Sequence, residues 1–211
     1  MIKDIPTFIL SLRTPSRESM VQKNLELFPK FEVVQAINGY NKEEVFDEFK
    51  KVGIKYTRLP NDPVHGQFNT FGTMANTLTK IKTIQDCINK NYEFFAILED
   101  DVGLDNIFDR FLLLATQSQL QSPQIDTWFI RLGEWGEGFI FSKEGAINTL
   151  DQLKKVGFRT QIDFELKYNG YPHISCGNTP WKLLVPTNEG DLLKTEMISL
   201  EEAERFISLV P

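Results

Sequence analysis

At 211 residues, with 41% hydrophobic and 12% aromatic content, the chain is long enough to bury a real core and belongs among ordinary globular proteins. Its formal charge of −6, from 23 basic against 29 acidic residues with no basic block, argues against non-specific nucleic-acid binding. No apolar run approaches the roughly 18 residues of a membrane-spanning helix, and the start, Met1 to Pro6, lacks the plan of a signal peptide.

Strand and helix signals then alternate. Thr7 to Leu12 reads as a strand, and Ser16 to Leu27 as a helix with Val21 and Leu25 on one face, closed by Pro29. Phe31 to Ile37 is a second strand that stops at the turn signal Asn38-Gly39. Asn41 can cap a helix carrying Val45, Phe46, Phe49 and Val52. A polar loop, Arg58 to Asn69, leads to a long helix over about Phe71 to Lys90, and apolar residues resume at Phe94. Beyond residue 102, Ile107 to Ala115 reads as helix, Trp128 to Leu132 and Gly138 to Phe141 as strands, and Gly145 to Val156 as helix. The pattern weakens from Gly157 to Pro186, and a last helix spans Glu201 to Leu209, with Ala203, Phe206 and Ile207 as its apolar face. This order predicts an α/β fold, a mainly parallel central sheet flanked by helices in one domain. Within that domain the chain divides into halves of about 1–105 and about 106–211. The two cysteines, Cys87 and Cys176, have no metal spacing, and Cys87 reads as a small buried hydrophobe in a reduced, cytoplasmic setting.

The chemistry concentrates where the third strand ends. Phe94-Phe95-Ala96-Ile97-Leu98 runs directly into Glu99-Asp100-Asp101. Buried carboxylates are costly unless paired or bound to a cation. On a strand side chains alternate faces, so Glu99 and Asp101 point one way and Asp100 the other. Two such carboxylates suit Mg²⁺ or Mn²⁺, which keeps open positions for substrate phosphates; an acidic loop is the alternative. Ligands on parallel sheets bind beyond the carboxyl ends of strands, so Leu12-Arg13, Asn38-Gly39 and Glu99 to Asp101 can share one crevice.

Ile97-Leu98-Glu99-Asp100-Asp101-Val102, preceded by a helix containing Gly72-Thr73-Met74-Ala75-Asn76-Thr77, resembles glycosyltransferase family 25 and related GT-A enzymes. Phe8 to Arg17 is similar to that family's first strand and basic loop. Phe31 to Gly39 resembles its second strand, and Gly138 to Ala146 its later strand-to-helix corner. The chain departs from the family at Thr73, Asn76 and Thr77, where Gly-Cys-x-x-Ser-His is usual, and at Asn38, where Asp is usual. A narrower similarity is to small glycosyltransferase domains encoded by large algal (chlorella) viruses, which would place it in the host cytoplasm. The resemblance implies a GT-A-like, hexosyltransferase-type enzyme. It would move a sugar from a nucleotide-sugar, most simply a UDP-sugar, to a glycan acceptor, with the triplet as the DxD-like motif.

On this reading Asp101 is the main metal ligand, Glu99 a second, direct or through water, and Asp100 turns to the ribose or caps a helix. Arg13 and Arg17 follow the first strand, where a diphosphate would enter, and Arg forks suit phosphate; Arg13 is the stronger candidate, and Arg17 has a surface alternative. Ser11, Thr14, Asn38 and Gly39 are candidates for the nucleotide, against a helix cap for Thr14 and a plain turn for Asn38-Gly39. Asn76 and Lys80 share one helix face pointing at a common spot, placing Lys80 near the donor diphosphate, with a solvated lysine as the simpler reading. The helix start at Thr70 to Thr73 offers backbone N–H groups to an anion. An inverting enzyme needs a carboxylate base: Asp163 matches the family's late Asp by position, and Glu134, beside Trp135, is the other candidate. His173 invites comparison with transferases that use a late histidine on the metal; a loop hydrogen bond is the plainer alternative. Two rivals remain: a silent binding module of the same fold, and a nucleotidyltransferase, against which the absence of glycine in Ser11 to Pro15 counts.

Overall fold

The computed structural model describes residues 5–57, 70–104, 108, 112–114, 116–117, 127–133, 137–157, 161–168, 171–176, 182–183 and 195–210. The first half runs β1 (Thr7–Ser11), α1 (Pro15–Leu27), β2 (Glu32–Gln35), α2 (Lys42–Val52), α3 (Phe71–Asn89), β3 (Phe94–Glu99) and β4 (Val102–Gly103). The second runs β5 (Phe129–Leu132), β6 (Gly138–Ser142), α4 (Lys143–Val156), α5 (Ile162–Tyr168), β7 (His173–Cys176), β8 (Lys182–Leu183) and α6 (Leu200–Leu209). The elements α5, β7 and β8 fall in the stretch where the sequence pattern fades.

One sheet carries the fold, in the order β2-β1-β3-β6-β5-β7, while β4 and β8 pair separately. β1 is parallel to β2 and β3, β5 is parallel to β7, and β6 is antiparallel to both its neighbours. Only β6 is therefore reversed, and the sheet is mainly parallel as expected.

Strand alternation divides the core between two faces. Phe8, Leu10, Phe95 and Ile97 point into the larger cluster with residues of α2, α3, α4, α5 and α6. Ile9, Ala96 and Leu98 point into the other, where Val21 of α1 and the helical residues Phe108 and Leu112 cover them. Burial on both faces explains why β1 and β3 read as unbroken apolar runs. α3 lies against β3 and is itself covered by α2, α4 and α5, so even its polar residues Thr73, Thr77, Thr79, Lys80 and Thr83 are buried. Ile207 is an exception to the expected apolar face of α6: it is exposed, while Ala203 and Phe206 are buried. Cys87 is a free thiol inside the core, and burial pushes it up to about 12, so it behaves as a small apolar residue.

Local chemistry fixes the ends of these elements. Asn41 accepts from the Glu44 N–H at the start of α2, and Gly53 ends that helix with a left-handed φ of 67°. Ser142 caps α4 by accepting from the Gly145 N–H. Thr14 occupies the N-cap position of α1, with Pro15 after it, but its side chain makes no capping bond.

Gly39 is where the β2 end touches α3. A Cβ built there would lie 2.5 Å from Gly72 Cα and 2.8 Å from Gly72 N, both backbone atoms that cannot yield. Gly39→Ala is therefore expected to cost about 1–3 kcal/mol through overpacking, read as a lower denaturation midpoint. Unchanged stability with weaker nucleotide binding would instead restore Gly39 to the nucleotide pocket.

Candidate active site

The register of β1 against β3 builds the site. Leu10 pairs with Glu99, so the next residues, Ser11 and Asp100, emerge side by side at the carboxyl ends of their strands. Both follow the parity of Ile9 and Leu98 and face α1. Ser11 Oγ donates to Asp100 Oδ2 at 2.6 Å and accepts from the Arg13 N–H at 2.9 Å. Glu99 follows the parity of Phe95 and Ile97 and faces α3, where its Oε1 accepts from Lys80 Nζ at 2.7 Å and Asn76 Nδ2 at 3.0 Å.

Asp101 breaks the alternation. β3 ends at Glu99 and the backbone turns through Asp100 and Asp101 before β4, so period-2 geometry stops where the acidic triplet needs it. Arg17 Nη1 lies 3.3 Å from Asp100 Oδ1 and 3.4 Å from Asp101 Oδ2. Asp100 and Asp101 thus share Arg17, while Glu99 turns to Lys80 with its charge still acting on Asp101. Asn24, two helical turns after Arg17, holds this arrangement. Its side chain donates to the Val102 carbonyl at 2.8 Å and accepts from the Leu104 N–H at 3.1 Å, clamping the chain beyond the turn onto α1. Its sequence signal is a lone Asn beside Met20 and Val21 on the buried face of α1.

On the opposite face Lys80 is the centre. Its ammonium is 2% exposed and pairs with Glu99 Oε1 and Asp163 Oδ1, each at 2.7 Å, above the Phe139 ring. The solvated reading of Lys80 is overturned because its side of α3 faces Glu99, Asp163 and Phe139, while Lys82, two residues on, is the exposed lysine. One cation between two carboxylates leaves a net negative charge inside, and the partners respond unequally. Burial would raise Glu99, but the charge and hydrogen bond of Lys80 hold it below the usual carboxylate range. Burial pushes Asp163 up to about 6, with Lys80 opposing and Glu99 assisting. Burial would lower Lys80, yet Asp163 and Glu99 raise it, so it stays charged. Gln161 reaches the second Asp163 oxygen at 3.4 Å.

The remaining candidates separate clearly. Arg13 is exposed, left-handed at φ 54°, and paired with Glu18 of the following helix α1 at 2.7 Å; of the two, Arg17 is the buried one. Asn38 is exposed and its side chain accepts from the Tyr40 N–H at 3.0 Å, a local turn. The α3 start offers no N–H to an anion: Phe71 N donates to the Glu196 carbonyl, Gly72 N to Thr195 Oγ1 and Thr73 N to Thr70 Oγ1. His173 stacks on Phe129 at 5.2 Å and its Nδ1 meets the Tyr171 carbonyl at 2.7 Å. The register sets it level with Phe95 and three strands from β3, about 14 Å across the sheet and about 13 Å along it from Glu99. It does not join the carboxylates. Glu134 lies outside the described residues.

Paired carboxylates at the end of β3 beside the buried Arg17 of α1 thus define the candidate site. The model of glycosyltransferase family 25 (LPS biosynthesis protein) matches residues 4–171. The chain belongs to glycosyltransferase family 25. It is also similar to Procollagen galactosyltransferase 1-B of Xenopus laevis, at 31% identity over 130 residues, which is 60% of this chain and 20% of that protein. The match therefore spans a fifth of that relative's length. A solved structure, of a glycosyltransferase involved in the glycosylation of the major capsid of PBCV-1, aligns over 83% of each chain at 13% identity and a TM-score of 0.44. As a family 25 member the chain is a glycosyltransferase, and among its described residues no helix is long and apolar enough to cross a membrane.

A divalent cation is implied for such an enzyme, and the site fits one in a limited way. Among the described residues no three His, Cys, Asp or Glu side chains converge to hold a metal. Asp101 nevertheless buries one oxygen, Oδ1, without a hydrogen-bond partner. Burial, with Glu99 and Asp100 adding to it against Arg17, pushes Asp101 up to about 7. Burial also raises Asp100, against the Ser11 hydrogen bond and Arg17. Two carboxylates short of positive charge match an ion that takes one or two protein carboxylates and completes its shell with phosphates and water.

The Lys80 cluster yields two expectations. Lys80→Met strands two buried carboxylates and should cost about 3–5 kcal/mol in a denaturant titration. Between about pH 4, the unfolded value for Asp, and about 6, the folded Asp163 keeps a proton the unfolded chain has lost. Its contribution therefore falls as pH rises through that window. Subtracting the stability profile of Asp163→Asn from that of wild type should isolate this falling slope; parallel profiles would show that Asp163 titrates normally.

Proposed function

We propose that the chain transfers a sugar from a UDP-sugar to a glycan acceptor, with Mn²⁺ or Mg²⁺ held by Asp100 and Asp101 beside the donor diphosphate. The observation that carries this reading is Asp101, whose buried Oδ1 has no hydrogen-bond partner at the carboxyl end of a central strand. An orphaned buried carboxylate oxygen is stabilised by a cation more than by any group now beside it.

When bound, the ion would neutralise charge building on the leaving diphosphate as a Lewis acid. The chain's own residues do the rest. Ser11 fixes one Asp100 oxygen, so that carboxylate does not have to be ordered when the donor arrives. Arg17 keeps the acidic turn from repelling a diphosphate, and its planar fork suits phosphate oxygens when the ion takes over the carboxylates. Arg13, exposed at the end of β1, exchanges Glu18 for donor phosphate at little cost, because surface ion pairs are worth about 0–1 kcal/mol. Asp163 serves as an anchor for Lys80. The name of the Xenopus relative makes UDP-galactose the first donor to try.

Calorimetry with UDP-galactose and UDP, with and without Mn²⁺, tests the proposal. Binding should require the metal, and Asp101→Asn should weaken it at least tenfold, about 1.4 kcal/mol. Metal-independent binding, or equal binding by the variant, would remove the metal-diphosphate reading and leave a different donor mode.

A further inference from the structure

The Glu99-Asp100-Asp101 run offers three neighbouring carboxylates to a cation, close enough for the Glu99 charge to act on Asp101, yet the fold pairs them with different cations. Glu99 leaves β3 on the α3 face, and its Oε1 is taken by Lys80 at 2.7 Å and Asn76 at 3.0 Å. Lys80 cannot follow it elsewhere, because the same ammonium is bonded to Asp163 at 2.7 Å and is 2% exposed. Asp100 and Asp101 stand on the α1 face around Arg17. Building on the metal-diphosphate reading above, we infer that Lys80 is a positioning residue that withholds Glu99 from the cation, leaving a two-carboxylate site that fills only together with the donor diphosphate.

The physical consequence is ordered binding. Two carboxylates already sharing an arginine hold a divalent ion weakly, and phosphate oxygens complete the shell. A third carboxylate would strengthen metal binding in the absence of nucleotide and trap the ion at an empty site. Holding Glu99 on Lys80 avoids this and uses the freed charge to tie the end of β3 to α5, across α3. Glu99 is thereby a tether, and its acidity serves Lys80 instead of the metal.

The test is Mn²⁺ binding followed by electron paramagnetic resonance, with and without UDP, on the full chain. In the presence of UDP, Glu99→Gln should bind Mn²⁺ within about twofold of wild type, because the amide oxygen still accepts from Lys80 and Asp163 still pairs it. Asp101→Asn should lose at least tenfold. A tenfold or greater loss in Glu99→Gln would make Glu99 a ligand and overturn the inference, while leaving the metal-diphosphate reading intact. If wild type shows no UDP-dependent Mn²⁺ binding, that reading falls and the inference with it. Lys80→Met adds a readout that a purely structural role would not move. Where it folds, Mn²⁺ affinity without nucleotide should rise at least fivefold, and the double variant Lys80→Met/Glu99→Gln should lose the gain. An unchanged affinity in folded Lys80→Met would contradict the withholding of Glu99. Where Lys80→Met does not fold, the Glu99→Gln result decides alone.

Discussion

A buried ammonium held between two carboxylates is the constraint around which this structure is arranged. Lys80 sits in the middle of α3, bonded to Glu99 at the end of β3 and to Asp163 in the first turn of α5. A charge this deep is tolerated only while both partners stay in place. The position of the central strand end, the central helix and α5 are therefore fixed relative to one another by one side chain. The cluster adds little net stability for the same reason, since desolvation offsets most of the Coulombic gain. What it supplies is geometry.

That geometry explains how three consecutive acids are put to different uses. Two cations stand on opposite faces of the sheet: Lys80 below Glu99, and Arg17 beside Asp100 and Asp101. The division follows strand parity up to Glu99 and the turn after it. Burial and mutual repulsion leave Asp101 the least satisfied of the three, with its acidity pushed to about 7 and one oxygen without a partner. Asn24 makes this durable by pinning the backbone beyond the turn to α1. The site is thus held from both sides by polar side chains inside helices that otherwise pack apolar faces.

Much of the fold was legible from local chemistry. The apolar runs of β1 and β3, the Asn41 cap, the helix read from Ser16 and the acidic strand end all announce themselves within a few residues, and family 25 was recognisable from the same segments. The weak stretch after Gly157 hid α5 and β7, because α5 is only seven residues long and offers a single i, i+4 core pair, Ile162 and Leu166. The site was read less well, for a different reason. Which of Arg13 and Arg17 turns inward, whether Lys80 is solvated, and which side Glu99 faces all depend on tertiary cover. Spacing showed that Asn76 and Lys80 share a face. It did not show that α2, α4 and α5 would cover α3 and force Lys80 to find two carboxylates. Alternation and helical periodicity describe elements, whereas charges are placed by what packs on them.

The account makes the end of β3 a place where a cation and a donor diphosphate meet, with Asp100 and Asp101 as the protein's share of the ligands. Anomalous diffraction at the manganese edge, from crystals soaked with Mn²⁺ and UDP, addresses this directly. The account predicts a single peak about 2.1 Å from oxygens of Asp100 or Asp101 and of the diphosphate, with Glu99 still on Lys80. A diphosphate bound at the strand ends without a metal peak, or a peak ligated by Glu99 in place of the two aspartates, would contradict it.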